Sequence, residues 1–503
     1  VSILKVFGPP GTGKTTYLLS QVELELEAKT EPMKIGYFAF TRKAAYEAKE
    51  RAVKRFPHLN VEKDFPWFRT LHSLAFRCLG MTGSEMMKAA NYNEFAKKFS
   101  LVIAAEDLND EDFTTKADNP VLNEINLARI RGVDMLTHYN RSRMSISWHY
   151  FDYIARGYKE YKLANSLYDF TDLLEMMVLE PDRLPRLDVL IVDECQDLSR
   201  LQWDMVRDLA NRSSRVLLAG DDDQAIYNWA GADVDSFMTF PGDILVLGQS
   251  YRVPSKVHAL ANRIVKRIKH RQDKDWLSRE EEGEVAVHNH FFEVDVSKGE
   301  WLVLASANYM LNDIHGWLKS QGLLFERFGQ RSISEGILSA VLGWEALRNG
   351  RELNFTMIQQ IYRYLPTNAV KRGFKSLPNA PEDGVYSMQI LQEQWGLNPQ
   401  VATLIWHEAL TKIPDEKREY VIALLRRGTR LMDKPQIKLS TIHAAKGGEA
   451  DHVLLLTDLS AKSAQEYQSN PDDINRLLYV GLTRTRKSLH LVRPQYYDRA
   501  FKL

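Results

Sequence analysis

A strand that stops at a glycine-rich loop and resumes as a helix constrains this chain more than any other stretch. Residues 1–7 read VSILKVF, an apolar run with a β-branched and aromatic bias, and end at Gly8-Pro9-Pro10-Gly11-Thr12-Gly13-Lys14-Thr15. A helix opens at once with Thr15-Thr16-Tyr17-Leu18-Leu19. The loop fits the phosphate-cradle pattern G-x-x-x-x-G-K-[ST]. Gly8, Gly11 and Gly13 let backbone N–H groups of residues such as Thr12 and Thr16 face phosphate oxygens, Lys14 reaches the β/γ-phosphates, and Thr15 offers its hydroxyl to Mg²⁺. A glycine turn by itself would be weak, but this one stands after a strand and before a helix, as the cradle requires. The chain is therefore read as binding a nucleoside triphosphate with Mg²⁺.

At 503 residues the chain exceeds what one hydrophobic core holds, about 250–300 residues, so several domains are expected. No apolar stretch approaches the roughly 20 residues of a membrane span and no secretory leader is read, which predicts a cytoplasmic, membrane-free protein. Cys78 and Cys195 stand far apart without metal-ligand spacing, and a reducing compartment fits. Lys+Arg and Asp+Glu both number 66. That balance excludes bulk electrostatic adhesion to nucleic acid but allows a groove combining a few cations with stacking aromatics.

Buried-strand patterns recur at Lys34–Phe40, Leu187–Val192, Arg215–Ala219, Ile244–Leu247, Trp301–Ala305, Gln436–Thr441, Val453–Thr457 and Leu489–Val492, with helical patterns between them. Near-continuously apolar strands alternating with helices predict α/β domains with parallel sheets covered on both faces. Two helical stretches interrupt the alternation. The expected organisation is a first α/β domain from 1–80 and 168–240 with a helical insertion at 81–167, and a second from 241–340 and 433–503 with a helical insertion at 341–432. Phe240-Pro241-Gly242 reads as the linker, and Asp107–Pro120 as an acidic, turn-rich interruption of the first insertion. Arg129–Arg143, with His138 and Tyr139, reads equally as a nucleic-acid contact or a plain exposed face.

A phosphate cradle needs a neighbouring strand that ends in an acid, and VLIVDE supplies one. Asp193 is placed to hold the metal through water, and Glu194 to orient and deprotonate the attacking water. Gln224, at the end of a further strand of the same domain, is placed to sense the γ-phosphate. Arginine suits the charge on a transferring phosphoryl group, and Arg252 and Arg484, both in the second domain, are candidates. ATP would then lie in a cleft between domains. Trp229, in the polar, glycine-flanked stretch Asn228-Trp229-Ala230-Gly231, reads as exposed rather than as core.

Nine segments in this order, GPPGTGKT, FAFTRKAA, TLHSLAF, YDFTDLLE, VDECQD, AGDDDQAIYNWAGA, GQSYR, LSTIHAAKGGEAD and LLYVGLTRTR, run almost from one end of the chain to the other. The chain resembles the UvrD/Rep-like class of superfamily 1 helicases. The resemblance implies two RecA-like P-loop NTPase domains, each with a mainly helical insertion, and ATP-driven translocation on single-stranded DNA with 3′→5′ unwinding at single-strand/duplex junctions. By motif, Lys14, Thr15, Asp193, Glu194, Gln224, Arg252 and Arg484 would form the ATPase site, Tyr251 would stack on adenine and Glu449 would contact the ribose. The DNA track would include Phe40, Thr41, Thr70, His72, Tyr227, Trp229, Thr441 and His443, since aromatic faces stack on bases whatever their sequence; for His443 this role rests on the resemblance alone.

Four departures from the family pattern stand out. Arg42 replaces the usual Asn and adds a cation beside the DNA track; Gly448 replaces a Leu and is expected to loosen its loop; Cys195 is read as a small buried hydrophobe. The family's adenine-reading glutamine segment has no counterpart ahead of Val1, which leaves base selectivity open. The second insertion looks shorter than in larger bacterial relatives and little follows the last motif, so a compact enzyme of viral or mobile-element type is expected. The rival readings are a translocase that displaces proteins without processive unwinding, and a catalytically inactive DNA-binding scaffold; RNA is a weaker candidate substrate.

Overall fold

The computed structural model describes residues 1–39, 42–107, 115–142 and 144–503. They form two compact units, Val1–Glu282 with Tyr467–Thr483, and Gly283–Glu466 with Arg484–Leu503.

The first unit is built on six strands: β1 (Ser2–Phe7), β2 (Ile35–Phe38), β3 (Phe68–Arg69), β4 (Leu187–Val192), β5 (Ser213–Gly220) and β6 (Asp243–Val246). They lie in the order β3-β2-β4-β5-β1-β6, every neighbour parallel. Side chains alternate between two cores. Phe7, Phe38, Leu190, Val192, Val216 and Leu218 enter one, and Val6, Tyr37, Val189, Ile191, Leu217 and Ala219 the other. This two-sided burial is why the strands read as unbroken apolar runs.

The sequence reading opened the second α/β domain at residue 241, whereas the structure pairs Ile244 with Lys5 and Val246 with Phe7, so β6 completes the first sheet. The run is short and half-exposed, and nothing local in it names its partner. The first insertion packs helices Ala89–Phe99, Pro120–Arg131, Met135–Arg141 and Trp148–Asn165 round a core of its own that includes Phe95, Ile125, Phe151, Ile154 and Tyr158. Within it, Ala104–Asp107 and Thr115–Asp118 pair as antiparallel strands flanking the acidic stretch.

The second unit holds β7 (Glu284–His288), β8 (Trp301–Ala305), β9 (Phe325–Arg327), β10 (Gln330–Arg331), β11 (Ile437–Thr441), β12 (Ala450–Leu456) and β13 (Thr485–Val492). Their order is β10-β9-β11-β8-β12-β13-β7; only the β9–β10 pair is antiparallel. Here, among the described residues, the insertion has no separate core: Trp344, Ile358, Ile361, Leu391 and Leu424 join Val303, Phe325, Leu439 and Leu454 of the sheet in one cluster. No helix among the described residues is long and apolar enough to cross a membrane.

Candidate active site

The loop after β1 is tied down by its own backbone. Gly8 N–H donates to Gly220 O at 2.9 Å, and Thr12 donates to Pro9 O through both N–H (3.2 Å) and Oγ1 (2.8 Å). Gly11 and Gly13 sit at φ +74° and +78°, where a side chain is strained. A Cβ on Gly11 would also lie 2.3 Å from Arg252 Cβ. The helix α1 (Lys14–Glu27) starts on Gly13 without a side-chain cap, so the first-turn N–H groups face outward as donors for an anion.

Lys14 meets the end of β4. Its ammonium lies 3.3 Å from Glu194 Oε1, with the lysine side chain 10% and the glutamate 36% exposed. Burial works against the charge on Lys14, but Glu194, Asp193 and Asp221 outweigh it and raise its pKa. Asp193 is raised above the ordinary carboxylate range by burial and by its acidic neighbour Glu194, with Lys14 opposing. Thr15 Oγ1 donates to Asp193 Oδ2 at 3.3 Å and Tyr37 Oη donates to the same oxygen at 3.2 Å. A hydroxyl and a carboxylate oxygen at this separation are hard donors of the kind Mg²⁺ takes, so the residues fit the ion.

Glu194 itself is held in the left-handed region, at φ 55° and ψ 40°. A non-glycine residue there is strained, and such strain gathers at functional sites. Gln196 Nε2 donates to Glu194 Oε2 at 2.5 Å, while its Oε1 accepts from Asp221 N–H at 2.9 Å. The neighbouring Cys195 is fully buried, and burial raises its thiol pKa.

Tyr251 and Arg252 lie in the same unit as the loop and pack on it. Ser250 Oγ donates to Pro10 O at 2.7 Å and Tyr251 N–H to Gly11 O at 2.8 Å. The Tyr251 side chain stands 74% exposed. Gln224 is nearly buried, its Nε2 donating to Asp221 Oδ2 at 2.7 Å. Asp221, Asp222 and Asp223 all face Lys274, whose Nζ is 3.0 Å from Asp221 and 2.8 Å from Asp223. Arg271 adds a bidentate pair to Asp223, both bonds 2.8 Å.

Of the DNA-track candidates, Phe40 and Thr41 lie outside the described residues. Trp229 is 61% exposed and its ring stands 6.5 Å from that of Tyr227. Thr70 caps the helix Leu71–Leu79 by accepting from Ser73 N–H. His72 packs on Phe170 at 5.6 Å; burial and the nearby charge of Arg42 hold its pKa down to about 4. The arginine-rich stretch resolves into packing: Arg129 is bound by Asp169, Asp172 and Glu175, buried His138 pairs with Glu124 at 2.7 Å, and Tyr139 donates to Ile146 O. Arg143 lies outside the described residues.

In the second unit, Arg484 is 2% exposed and its Nη1 donates to Gly448 O at 3.3 Å. Glu449 Oε1 lies 3.4 Å from Arg486, a guanidinium it shares with Glu300 and Asp451. Thr441 Oγ1 accepts from Ala444 N–H, two positions along from Ile442 and next to His443. The loop's left-handed glycine is Gly447, at φ +81°; Gly448 does not need that freedom.

The UvrD/REP helicase N-terminal domain matches residues 2–244, and the UvrD-like helicase C-terminal domain matches residues 437–492. The chain belongs to the UvrD-like helicase family. The ATP-dependent DNA helicase PcrA of Bacillus subtilis (strain 168) is 26% identical over 401 residues, 75% of this chain and 53% of that protein. The PcrA proteins of Staphylococcus aureus (strain Mu50) and Staphylococcus epidermidis (strain RP62A) are 24% and 26% identical over 313 and 288 residues, covering 42% and 39% of their own lengths. The chain thus spans about half the length of the curated relatives it matches. As a UvrD-like protein it has the expected α/β architecture, with a parallel sheet in the first unit and a largely parallel one in the second. The site also contains residues that motif reading passed over: Tyr37, Gln196, Ser250 and Lys274. Gln196 carried a signal, two places after Glu194 inside VDECQD; Lys274 carried none.

Proposed function

We propose that this UvrD-like chain is an ATP-dependent DNA helicase that moves along single-stranded DNA and opens duplex at single-strand/duplex junctions, with 3′→5′ polarity taken from the resemblance. The observation that carries the reading is the convergence of Lys14 and Thr15 from the loop on Asp193 and Glu194 from the end of β4. Such a site, at the carboxyl ends of parallel strands, is where open α/β sheets bind ligands.

In this reading the glycine-rich loop and the first turn of α1 bind the phosphates, and Lys14, kept charged by its two carboxylates, adds a fixed cation. Thr15 and Asp193 would hold Mg²⁺, which when bound offsets phosphate charge. Glu194, held in its strained conformation and bonded by Gln196, accepts the proton of the attacking water. Arg252 packs on the loop as a second cation source, Gln224 senses the γ-phosphate, and Tyr251 offers an exposed ring to the base. Arg484 and Glu449 keep the phosphate- and ribose-directed roles implied by the resemblance. Tyr227, Trp229, Arg42, Thr70, His72, Thr441 and His443 are proposed to contact the strand.

The test is ATP hydrolysis with and without single-stranded DNA, followed by strand displacement on 3′- and 5′-tailed duplexes. Stimulated hydrolysis with opening of the 3′-tailed substrate is expected. Stimulated hydrolysis with no opening would assign a translocase instead, and no hydrolysis a scaffold.

A further inference from the structure

The loop that presents Trp229 is held from two sides by residues far away in sequence. Asn228, Trp229 and Ala230 form a single 3₁₀ turn closed by Ala230 N–H to Tyr227 O (2.8 Å) and Gly231 N–H to Asn228 O (3.1 Å). On one side lies the insertion helix Pro120–Arg131. Arg131 Nη2 donates to the Asn228 carbonyl at 2.9 Å, and a Cβ on Gly231, at φ +96°, would lie 2.9 Å from Ile130 and 3.2 Å from Leu127. Glycine is therefore required for both the turn and the approach of the helix. On the other side, Asn228 Nδ2 donates to Asp473 Oδ1 at 2.7 Å. Asp473 sits in the first turn of the helix Pro471–Leu482 and is held by Arg476 at 3.4 Å. Arg476 in turn donates to the carbonyls of Asp222 (2.9 Å) and His270.

We propose that Arg131 and Asp473 are positioning residues that clamp Asn228 and thereby preset the Trp229 ring for stacking on a nucleic-acid base. The proposal rests on Trp229 contacting the strand, as read above. A three-residue turn has too few internal bonds to fix a large, 61% exposed indole, and ordering it only on binding would cost affinity. The two charge-assisted bonds on Asn228 settle that ordering in advance. The insertion helix contributes one of them, so the insertion acts on the strand through the loop.

Arg131→Ala, Arg131→Lys and Asp473→Asn are compared with the parent by hydrogen exchange of the 228–231 amides without DNA, and by the oligothymidylate concentration giving half-maximal ATPase stimulation. Expected for Arg131→Ala are faster exchange confined to the loop and a half-stimulating concentration raised about tenfold, with DNA-free hydrolysis and ATP half-saturation unchanged. Arg131→Lys restores part of the effect, and Asp473→Asn, which keeps the side-chain oxygen, gives a smaller one. In a Trp229→Ala background, Arg131→Ala adds nothing. Unchanged loop exchange, or an Arg131 effect fully additive to Trp229→Ala, overturns the clamp. A Trp229→Ala variant stimulated by DNA like the parent overturns the stacking reading instead, and the exchange data separate the two failures.

Discussion

Two lysines stand at the carboxyl edge of the same sheet, each among carboxylates, and they serve opposite ends. Lys14 faces Glu194 and Asp193 in a pocket that keeps the glutamate 36% exposed. Lys274 faces Asp221, Asp222 and Asp223 with every side chain at 1% exposure or less. Both ammonium pKa values are raised, because in each case neighbouring acids outweigh the burial that would lower them. The difference is closure. The Lys14 cluster opens onto a glycine-lined loop with outward N–H donors, so an incoming phosphate finds charge and space. The Lys274 cluster is already satisfied, with Arg271 on Asp223 and the Gln272 N–H on Asp222. Three neighbouring buried aspartates need a cation, and the protein supplies it itself.

The comparison breaks most visibly at the open cluster. Glu194→Gln is expected to lower DNA-stimulated turnover by about 10²–10⁴-fold while ATP and DNA still bind and the melting point stays near that of the parent; a parental turnover number would remove Glu194 as the base. At the closed cluster the effect moves from rate to stability. Lys274→Met leaves three buried carboxylates without their ammonium and should destabilise the first unit by about 3–5 kcal/mol, read as a shifted denaturant midpoint; an unchanged midpoint would mean the cluster is no strut.

Trp229→Ala touches neither lysine and gauges what the exposed edge contributes. A loss of about 1–3 kcal/mol in DNA binding, read from fluorescence anisotropy of a labelled oligothymidylate, should come with little change in ATP affinity. The smallest effect belongs to His72, a half-buried base beside a cation instead of an acid, and driven neutral where the lysines stay charged. With its folded pKa near 4, below the unfolded value, the unfolded chain binds more protons as pH falls from about 6.5 towards 4. The parent should therefore lose stability over that window, and His72→Gln should lose less; equal pH slopes in thermal melts would refute the lowered pKa of the imidazole.

How much of this could be read along the chain depended on how local each feature is. The cradle is contiguous from Gly8 to Thr15, so its residues, spacing and strand–loop–helix setting were all visible. Asp193 and Glu194 were visible as acids at the end of a buried strand. The left-handed backbone of Glu194 was not, nor was the Gln196 bridge from Glu194 to Asp221. Ser250, Tyr251 and Arg252 read as a motif of the second domain, because the pairing of β6 with β1 leaves no mark on Ile244–Leu247. The arginine-rich stretch showed its charge but not its partners, and Arg129 proved to be bound in packing.

The sequence by itself determined the largely parallel sheets, the glycine-rich loop after the first strand and the paired acids at a strand end proposed to hold metal and act as base, since these follow from strand patterning and short-range motifs that hold wherever the chain folds around them. Only the tertiary structure decided that Lys274 neutralises the aspartate triplet, that Arg252 presses on Gly11, and that Arg131 and Asp473 meet at Asn228. Those contacts join residues up to 245 positions apart. They arise because strand order and insertion packing bring distant backbone together, and no local propensity encodes which segments will meet.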